Sequence, residues 1–138
     1  MSEETELAWA AGFFDGEGSV YIRHTKRHKG GNGKDYPLLT VEISVTQVRP
    51  EPLERFKKLF DFGKLGGPYK SSQKNAKPHY RWNTAGRPSV LKVAEALWPY
   101  LSIPKKEQFE KCWTELQEKR TKKSPVLNPL PKVGMGVS

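Results

Sequence analysis

Two carboxylates set between glycines are the residues of this sequence best suited to chemistry. Asp15 and Glu17 alternate with Gly16 and Gly18, directly after an apolar stretch of residues 7–14. This pattern is typical of a helix that ends at a glycine, and we expect the two glycines to supply unusual backbone angles there. Helix C-terminal carbonyls make the local potential negative, so a carboxylate at that end favours a bound cation. The oxygen atoms of the carboxylate suit a divalent ion as ligands. The simpler interpretation is a polar helix stop.

The composition indicates one basic domain. The chain has 138 residues, with 24 Lys and Arg against 15 Asp and Glu, for a formal net charge of +9. This length fits a single compact domain. The positive charge favours a polyanionic partner, because neutralising phosphates releases condensed counterions. A membrane surface would accept the same charge, but the sequence has neither a long apolar run nor a basic amphipathic helix. We therefore predict no membrane association.

Cysteine usage and the N-terminus predict an intracellular protein. Cys112 is the only cysteine, which excludes a disulfide framework and a thiolate zinc site. The acidic start lacks the basic and apolar segments of a secretion signal. We expect the protein in the cytoplasm, or in an organelle matrix if an organelle encodes it.

Hydrophobic periodicity predicts an α+β fold in the order helix, hairpin, helix, hairpin, helix, helix. Residues 19–25 and 40–46 alternate with one apolar face each, which implies a sheet covered by helices on one side only. The predicted helices cover residues 7–14, 52–60, 89–100 and 105–119, and a weaker hairpin uses residues 65–71 and 78–85. Residues 26–35 are predicted to be a mobile hairpin loop. A single domain of residues 1–119 is followed by a basic, proline-rich flexible tail of residues 120–138.

The segment AAGFFDGEG at residues 10–18 resembles the LAGLIDADG motif of homing endonucleases, position by position. Ala10 stands where Leu is usual, and the second acid is Glu17 where Asp is common. The resemblance extends from residue 7 to residue 118. Residues 44–47 resemble the family's polar strand end, and residues 101–108 resemble its late segment with a catalytic lysine. The resemblance implies the αββαββα fold, an antiparallel sheet with helices on one face and the other face presented to DNA.

The same resemblance implies a site-specific endonuclease that cuts both strands of a long, near-palindromic DNA target. It implies Mg²⁺ or Mn²⁺ as cofactor, and a gene associated with intron or intein mobility. Family members with a single motif pair as homodimers, and only one motif is visible here. The small residues Ala8, Ala11 and Gly12 lie at helical spacings on one face, joined by Asp15. We expect this face of the first helix to form the dimer interface.

The resemblance also assigns the active site. Glu17 occupies the family's metal-binding position and is expected to be catalytic, with the Gly16 carbonyl and, to a smaller extent, Asp15 as further metal ligands. Gln47 is expected to orient water. Lys105 is expected to stabilise charge on the phosphate, and Lys106 is the alternative, because the family's lysine aligns on or beside the preceding proline. A solvated helix start would explain either lysine equally well.

The outward positions of the strands are expected to contact DNA. Arg23 and Arg81 suit guanine edges, and Glu42 suits the amine of cytosine. The basic residues 26–29 suit phosphates, which position a protein without specifying sequence. In the weaker hairpin, a register shift of one residue would exchange the two faces. The predicted DNA-binding residues are Tyr21, Arg23, Thr25, Lys26, Arg27, Thr40, Glu42, Ser44, Thr46, Lys70, Ser72, His79, Arg81 and Asn83.

Three other functions stay open at this point. The family includes RNA splicing maturases and DNA-binding regulators that do not cleave, and either would keep this fold; RNA is a partner only in the maturase case. A structural ribonucleoprotein subunit would explain the charge but not a carboxylate between glycines. Both acids of the motif are present at residues 15 and 17, which favours cleavage.

Overall fold

The computed structural model describes residues 2–28, 35–70, 73, 75–119 and 129–131. It contains a four-stranded antiparallel sheet in the order β1-β2-β4-β3. The helices are α1 (Glu3–Glu17), α2 (Glu51–Leu59), α3 (Arg87–Leu97) and α4 (Ile103–Lys119), with a 3-10 turn at Trp98–Tyr100. The strands are β1 (Gly18–His28), β2 (Asp35–Gln47), β3 (Lys64–Tyr69) and β4 (His79–Ala85). The predicted order of elements and the α+β fold are confirmed.

The first helix is longer than the sequence indicated. The side chain of Ser2 accepts a hydrogen bond from the Thr5 amide at 3.1 Å and so caps its N-terminus. At the other end, residues 15–17 form the last turn of α1, where we expected the helix to have stopped. The glycines need no unusual angles there, since Gly18 has an ordinary extended conformation with φ −84°. Gly18 is required for space instead, because a Cβ would lie 2.3 Å from the ring of Phe14.

Aromatic packing fixes the end of α1 in the hydrophobic core. Phe14 is fully buried and stacks on Phe56 of α2 and Phe109 of α4, with ring centroids 6.4 and 5.9 Å away. Trp82 of β4 meets Phe56 edge to face at 4.8 Å. Stacked and edge-to-face contacts at these distances favour defined orientations of the rings. The C-terminal turn of α1, which carries the two acids, is therefore held rigidly at one end of the sheet.

Strand register separates two faces of the sheet. Val41, Ile43 and Val45 of β2 point into the core beneath the helices, together with Trp82. The intervening residues lie on the opposite side, which none of the four described helices covers, and we call this side the polar face. The β2–β4 pairing aligns Thr46 with Arg81 and Ser44 with Asn83, so the predicted outward residues Arg81 and Asn83 of β4 lie on the polar face.

The loop of the first hairpin differs from the prediction. Residues 26–28 belong to β1 and residue 35 begins β2, so the hairpin connection is shorter than predicted. Residues 29–34, 120–128 and 132–138 lie outside the described part of the chain. Leu130 packs against the core cluster and lines a groove on α4 with Trp113, and the flexible tail of residues 120–138 stays a prediction. No helix in the described ranges is both long and apolar enough to cross a membrane.

Candidate active site and nucleic-acid interface

Glu17 lies exposed at the C-terminal end of α1. Its carboxylate forms no hydrogen bond or ion pair with any residue that the structure describes. The last turn of α1 contains no basic residue, so nothing in the helix offsets the negative potential of its C-terminal carbonyls. The neighbouring Gly16 is exposed as well, with open space around its Cα. This corner of the protomer therefore offers oxygen ligands and a carboxylate that no described residue binds, which together fit a divalent cation.

Asp15 has a role inside the protomer. Its two carboxylate oxygens accept hydrogen bonds from the Ser102 amide, both at 3.1 Å, and one also accepts from the Ser102 hydroxyl at 2.9 Å. The Ser102 carbonyl in turn accepts from the Lys106 amide in the first turn of α4. Asp15 thus joins the end of α1 to the start of α4. Both of its oxygens accept hydrogen bonds there, and its part in metal binding and in the dimer interface stays a prediction.

Ser102 is a residue that the sequence analysis missed. It precedes Ile103 and Pro104, and a serine before a proline in the first helical turn is a known start signal for a helix. That signal could have placed the beginning of α4 at Ile103, two residues before the predicted start. The contact with Asp15 depends on two segments 87 residues apart and was not visible in the sequence.

The two candidate lysines are separated by their surroundings. Lys105 is buried, and its Nζ donates to the Gly18 carbonyl at 2.8 Å and to Gln108 Oε1 at 3.3 Å. Lys106 is also buried, but its Nζ lies over the Trp98 ring, 5.6 Å from the ring centroid. A solvated helix start is therefore wrong for both residues. Only Lys105 reaches the turn that follows Glu17.

Burial affects the titration of Lys105. Desolvation of its ammonium group lowers the pKa of Lys105, and the negative charge of Asp15 partly opposes this shift. The folded protomer therefore releases this proton at a lower pH than the unfolded chain does. The linked contribution to stability rises as pH increases through the folded pKa.

Gln47 lies near the point where α1 passes into β1. Val45 pairs with Gly18, and Gln47 lies two residues further along β2, partly exposed and on the same face as Val45. Strand pairing and helix packing thus bring Glu17, Lys105 and Gln47 to one end of the sheet. Among the described residues, no three His, Cys, Asp or Glu side chains are grouped closely enough to hold a metal. A metal at Glu17 would need further oxygen ligands, such as the Gly16 carbonyl, water, a second protomer or a nucleic acid.

The polar face contains a shallow depression centred on Glu42. The Glu42 side chain accepts hydrogen bonds from Arg23 Nη1 to Oε1 at 3.1 Å and from Arg81 Nη2 to Oε2 at 3.2 Å. Tyr21 donates its hydroxyl to the same Oε2. Desolvation and the hydrogen bond to Glu42 raise the pKa of Tyr21, so the phenol stays protonated. Both oxygens of Glu42 are thus occupied, which does not suit the predicted contact with a cytosine amine. The depression is lined by Tyr21, Arg23, Glu42, Lys64, Tyr69, His79, Arg81 and Asn83.

The remaining predicted DNA-binding residues divide into two groups. Thr40, Ser44 and Thr46 alternate with the core residues of β2 and so share the polar face, and Lys70 is exposed just after β3. The side chains of Thr25, Lys26, Arg27 and Ser72 lie outside the described part of the structure. Lys64 and Tyr69 line the depression but were not predicted. No alternation marked them, because β3 contains two glycines, a proline and a register shift.

Small residues leave one side of α1 uncovered. Ala8, Gly12 and Gly16 follow one another at four-residue spacing and are exposed. A Cβ added at Gly12 or Gly16 would meet nothing within 4 Å. Ala11, which was predicted for the interface, is fully buried inside the protomer, so that assignment is wrong. The stripe of residues 8, 12 and 16 gives another helix room for close approach.

The fold and this site together define the chain as an α+β protein with a helix-end carboxylate and a basic, uncovered sheet face. The sequence profile of the family described as LAGLIDADG endonuclease matches residues 10–116. This match covers well over half of the chain, which therefore belongs to the LAGLIDADG endonuclease family. A comparison with curated protein sequences gave no significant match.

Solved homing endonucleases share the fold. The homing endonuclease I-CvuI, solved with an I-CreI target in 2 mM Mg, is similar with a TM-score of 0.59 and 21% identity, over 83% of this chain and 65% of that one. The group I intron-encoded homing endonuclease I-CeuI bound to DNA is similar with a TM-score of 0.60 and 20% identity, over 84% of this chain and 55% of that one. The archaeal intron-encoded homing endonuclease I-Vdi141I bound to DNA is similar with a TM-score of 0.54 and 19% identity, over 89% of each chain. This chain thus spans less than two thirds of the length of the first two.

Proposed function

We propose that this protein is a site-specific endonuclease that cleaves both strands of duplex DNA as a homodimer and depends on Mg²⁺ or Mn²⁺. The proposal is carried by the exposed carboxylate of Glu17, which no described residue binds, at the end of a helix with an exposed stripe of small residues. Family membership and the DNA-bound neighbours support it. A purely structural domain would not need an exposed acid in the last turn of a helix that contains no basic residue.

The dimer would form through α1. Packing of the stripe at residues 8, 12 and 16 against its copy about a two-fold axis gives a closed, self-complementary interface. The C-terminal turns of both helices then lie near each other, and each carries Glu17. Two like carboxylates at adjacent helix ends repel, which strengthens the requirement for a cation between them. The two polar faces would together form one continuous surface for a palindromic duplex.

The residues at the helix end fit a divalent metal in this arrangement. Glu17 of each protomer and the Gly16 carbonyl would supply oxygen ligands, and DNA phosphates would complete the set. Bound there, magnesium would supply activation of water and stabilisation of charge on the scissile phosphate. The neighbouring I-CvuI structures were solved with Mg or with Ca.

Lys105 and Gln47 would act on the substrate around that site. The Lys105 ammonium is held by the Gly18 carbonyl, one residue past Glu17, so its charge is fixed beside the proposed phosphate position. A preorganised cation in a desolvated place stabilises developing negative charge better than a solvated one. The amide of Gln47 both donates and accepts hydrogen bonds and can orient a water molecule. Selection of cleaved duplexes from a randomised library, with magnesium against calcium, tests the proposal directly.

We expect DNA binding to be steeply salt-dependent and the footprint to be symmetric. A basic surface that follows phosphates should lose roughly 10³-fold in affinity between about 50 and about 200 mM salt. A strand of about ten residues spans roughly 33 Å, close to one turn of duplex, so two protomers should protect about 20 base pairs. Gel-shift titrations and footprinting in calcium measure both quantities. A short asymmetric footprint would argue against a symmetric dimer.

Lys105→Met and Lys106→Met form a matched pair that separates the two lysines. Methionine keeps an unbranched side chain but removes the charge, so both packed positions remain filled. We expect Lys105→Met to slow cleavage at least about tenfold, because one preorganised cation is lost. Lys106→Met should cleave like the wild type, since that ammonium lies against Trp98. Single-turnover cleavage rates at saturating protein compare the two variants. Slow cleavage by Lys106→Met with normal cleavage by Lys105→Met would move the catalytic role to Lys106.

A further inference from the structure

Glu42 has an almost fully buried carboxylate, although it lies on the polar face of the sheet, opposite the hydrophobic core. Its exposed fraction is 4%, although the strand register places it on the polar face. A desolvated carboxylate is strongly unfavourable unless cations and donors surround it. Arg23 from β1 and Arg81 from β4 supply them, one from each strand that borders β2. Glu42 of β2 thus binds one arginine from each of the two neighbouring strands.

The two arginines keep different sets of donors. Arg23 gives only Nη1 to Glu42, and its Nε and Nη2 make no hydrogen bond to any described residue. Its side chain is 59% exposed. Arg81 uses Nη2 for both Glu42 and the Tyr21 hydroxyl, which it reaches at 2.5 Å, and its Nε is buried without a hydrogen-bond partner among the described residues. Only Arg23 therefore keeps the Nε–Nη2 edge, with two parallel N–H groups.

That edge has the shape that recognises guanine. The O6 and N7 atoms of guanine accept two hydrogen bonds from one arginine in the major groove, and this is the commonest specific contact to a base. An arginine already fixed by a carboxylate loses less side-chain freedom when it binds than a mobile one does. Glu42 would therefore sharpen recognition without touching the base, because its own oxygens are engaged by Arg23, Arg81 and Tyr21.

We propose that Glu42 is a positioning residue for sequence recognition, which holds Arg23 so that its Nε–Nη2 edge reads a guanine in the target. This inference rests on the proposed function, since it requires a DNA duplex on the polar face. It assigns the buried acid to specificity and leaves phosphate contacts to the basic residues around it. Replacing Glu42 should accordingly change which sequences bind more than how tightly DNA binds in general.

The test compares base preferences in calcium, where binding is measured without cleavage. A randomised library first gives the preferred sequence of the wild type. Arg23→Lys, which keeps the charge but loses the two-donor edge, then identifies the base pair that Arg23 reads by a loss of guanine preference of about tenfold. Glu42→Gln should lose preference at that same base pair by about tenfold and keep the affinity for non-specific DNA. Glu51→Gln is the control, because Glu51 is an exposed acid paired with Arg49 outside the polar face.

The outcomes separate this inference from the proposed function. A wild type that selects no sequence removes the proposed function itself. Clear selection by the wild type, with Glu42→Gln preserving the guanine preference that Arg23→Lys loses, overturns only the inference. An equal loss for Glu51→Gln also overturns it, since the effect would then be one of charge alone. Thermal melts check folding, and if Glu42→Gln does not fold, Glu42→Asp replaces it: the charge stays but is withdrawn by one methylene, and an unchanged guanine preference then overturns the inference.

Discussion

Glu17→Gln is expected to stop cleavage of the target duplex while folding, dimerisation and DNA binding in calcium persist. Glutamine keeps the size and most of the hydrogen-bonding shape of the side chain, but it removes the charge that would hold the metal. Loss of several kcal/mol of transition-state stabilisation corresponds to a fall of at least roughly 10³-fold in the cleavage rate. Glu17 is exposed and has no hydrogen-bond partner among the described residues, so the fold does not depend on its charge.

Stability should move slightly in the opposite direction. A carboxylate in the last turn of a helix opposes the helix dipole, and removing it is worth about 0.3–1 kcal/mol. Relief of repulsion between the two Glu17 side chains of a dimer adds to this gain. A variant that is inactive yet melts at the same or a higher temperature therefore points to chemistry rather than to loss of structure.

Glu118→Gln is the matched control for this measurement. Glu118 is likewise an exposed acid in the last turn of a helix, at the far end of α4. It should cleave normally, while its stability responds to the helix dipole in the same sense. Full cleavage by Glu17→Gln would remove the active-site assignment, and loss of DNA binding together with cleavage would give Glu17 a structural role instead.

Gly12→Leu is expected to separate the dimer into folded protomers. The protomer has room for the leucine, since an added Cβ meets nothing within 4 Å, and leucine is the better helix former. Two closely packed helices have no such room, and overpacking costs about 1–3 kcal/mol at each of the symmetry-related positions. We expect the dimer dissociation constant to rise at least about tenfold, and binding to a full palindromic site to fall with it.

Sedimentation with and without DNA measures this effect, beside thermal melts of each protein. Glu95→Leu, on the exposed side of α3, adds the same side chain elsewhere and should leave the dimer intact. Unchanged association of Gly12→Leu would place the interface away from α1. A wild type that sediments as a monomer even on DNA would contradict the argument from a single motif.

Much of the fold followed from periodicity. Alternation in residues 19–25 and 40–46 predicted which strand residues face the core, because successive side chains point to opposite faces of a sheet. The register of β4 followed in the same way, with Trp82 buried and Arg81 on the polar face. The motif at residues 10–18 predicted a carboxylate at a helix end from local features, and the family resemblance singled out Glu17. Local patterns of this kind are encoded by residues that are near one another in sequence.

The active-site neighbourhood required the tertiary structure. The choice between Lys105 and Lys106 depends on which side chain α4 turns towards Gly18, and neighbouring positions on a helix differ by about 100°. The contact between Asp15 and Ser102 likewise joins segments far apart in the chain. No local pattern records such distances.

The polar face shows the same division between local and distant information. The sequence alone determined that Glu42 and the two arginines share one side of the sheet. Only the strand order β1-β2-β4 brought Arg23 and Arg81 to the same carboxylate, although Arg81 lies 39 residues beyond Glu42. The sequence therefore predicted Glu42 as a base contact, and the fold makes it a buried partner of two cations. Burial decides this difference, because a carboxylate taken out of water must be satisfied by whichever donors the packed chain brings to it.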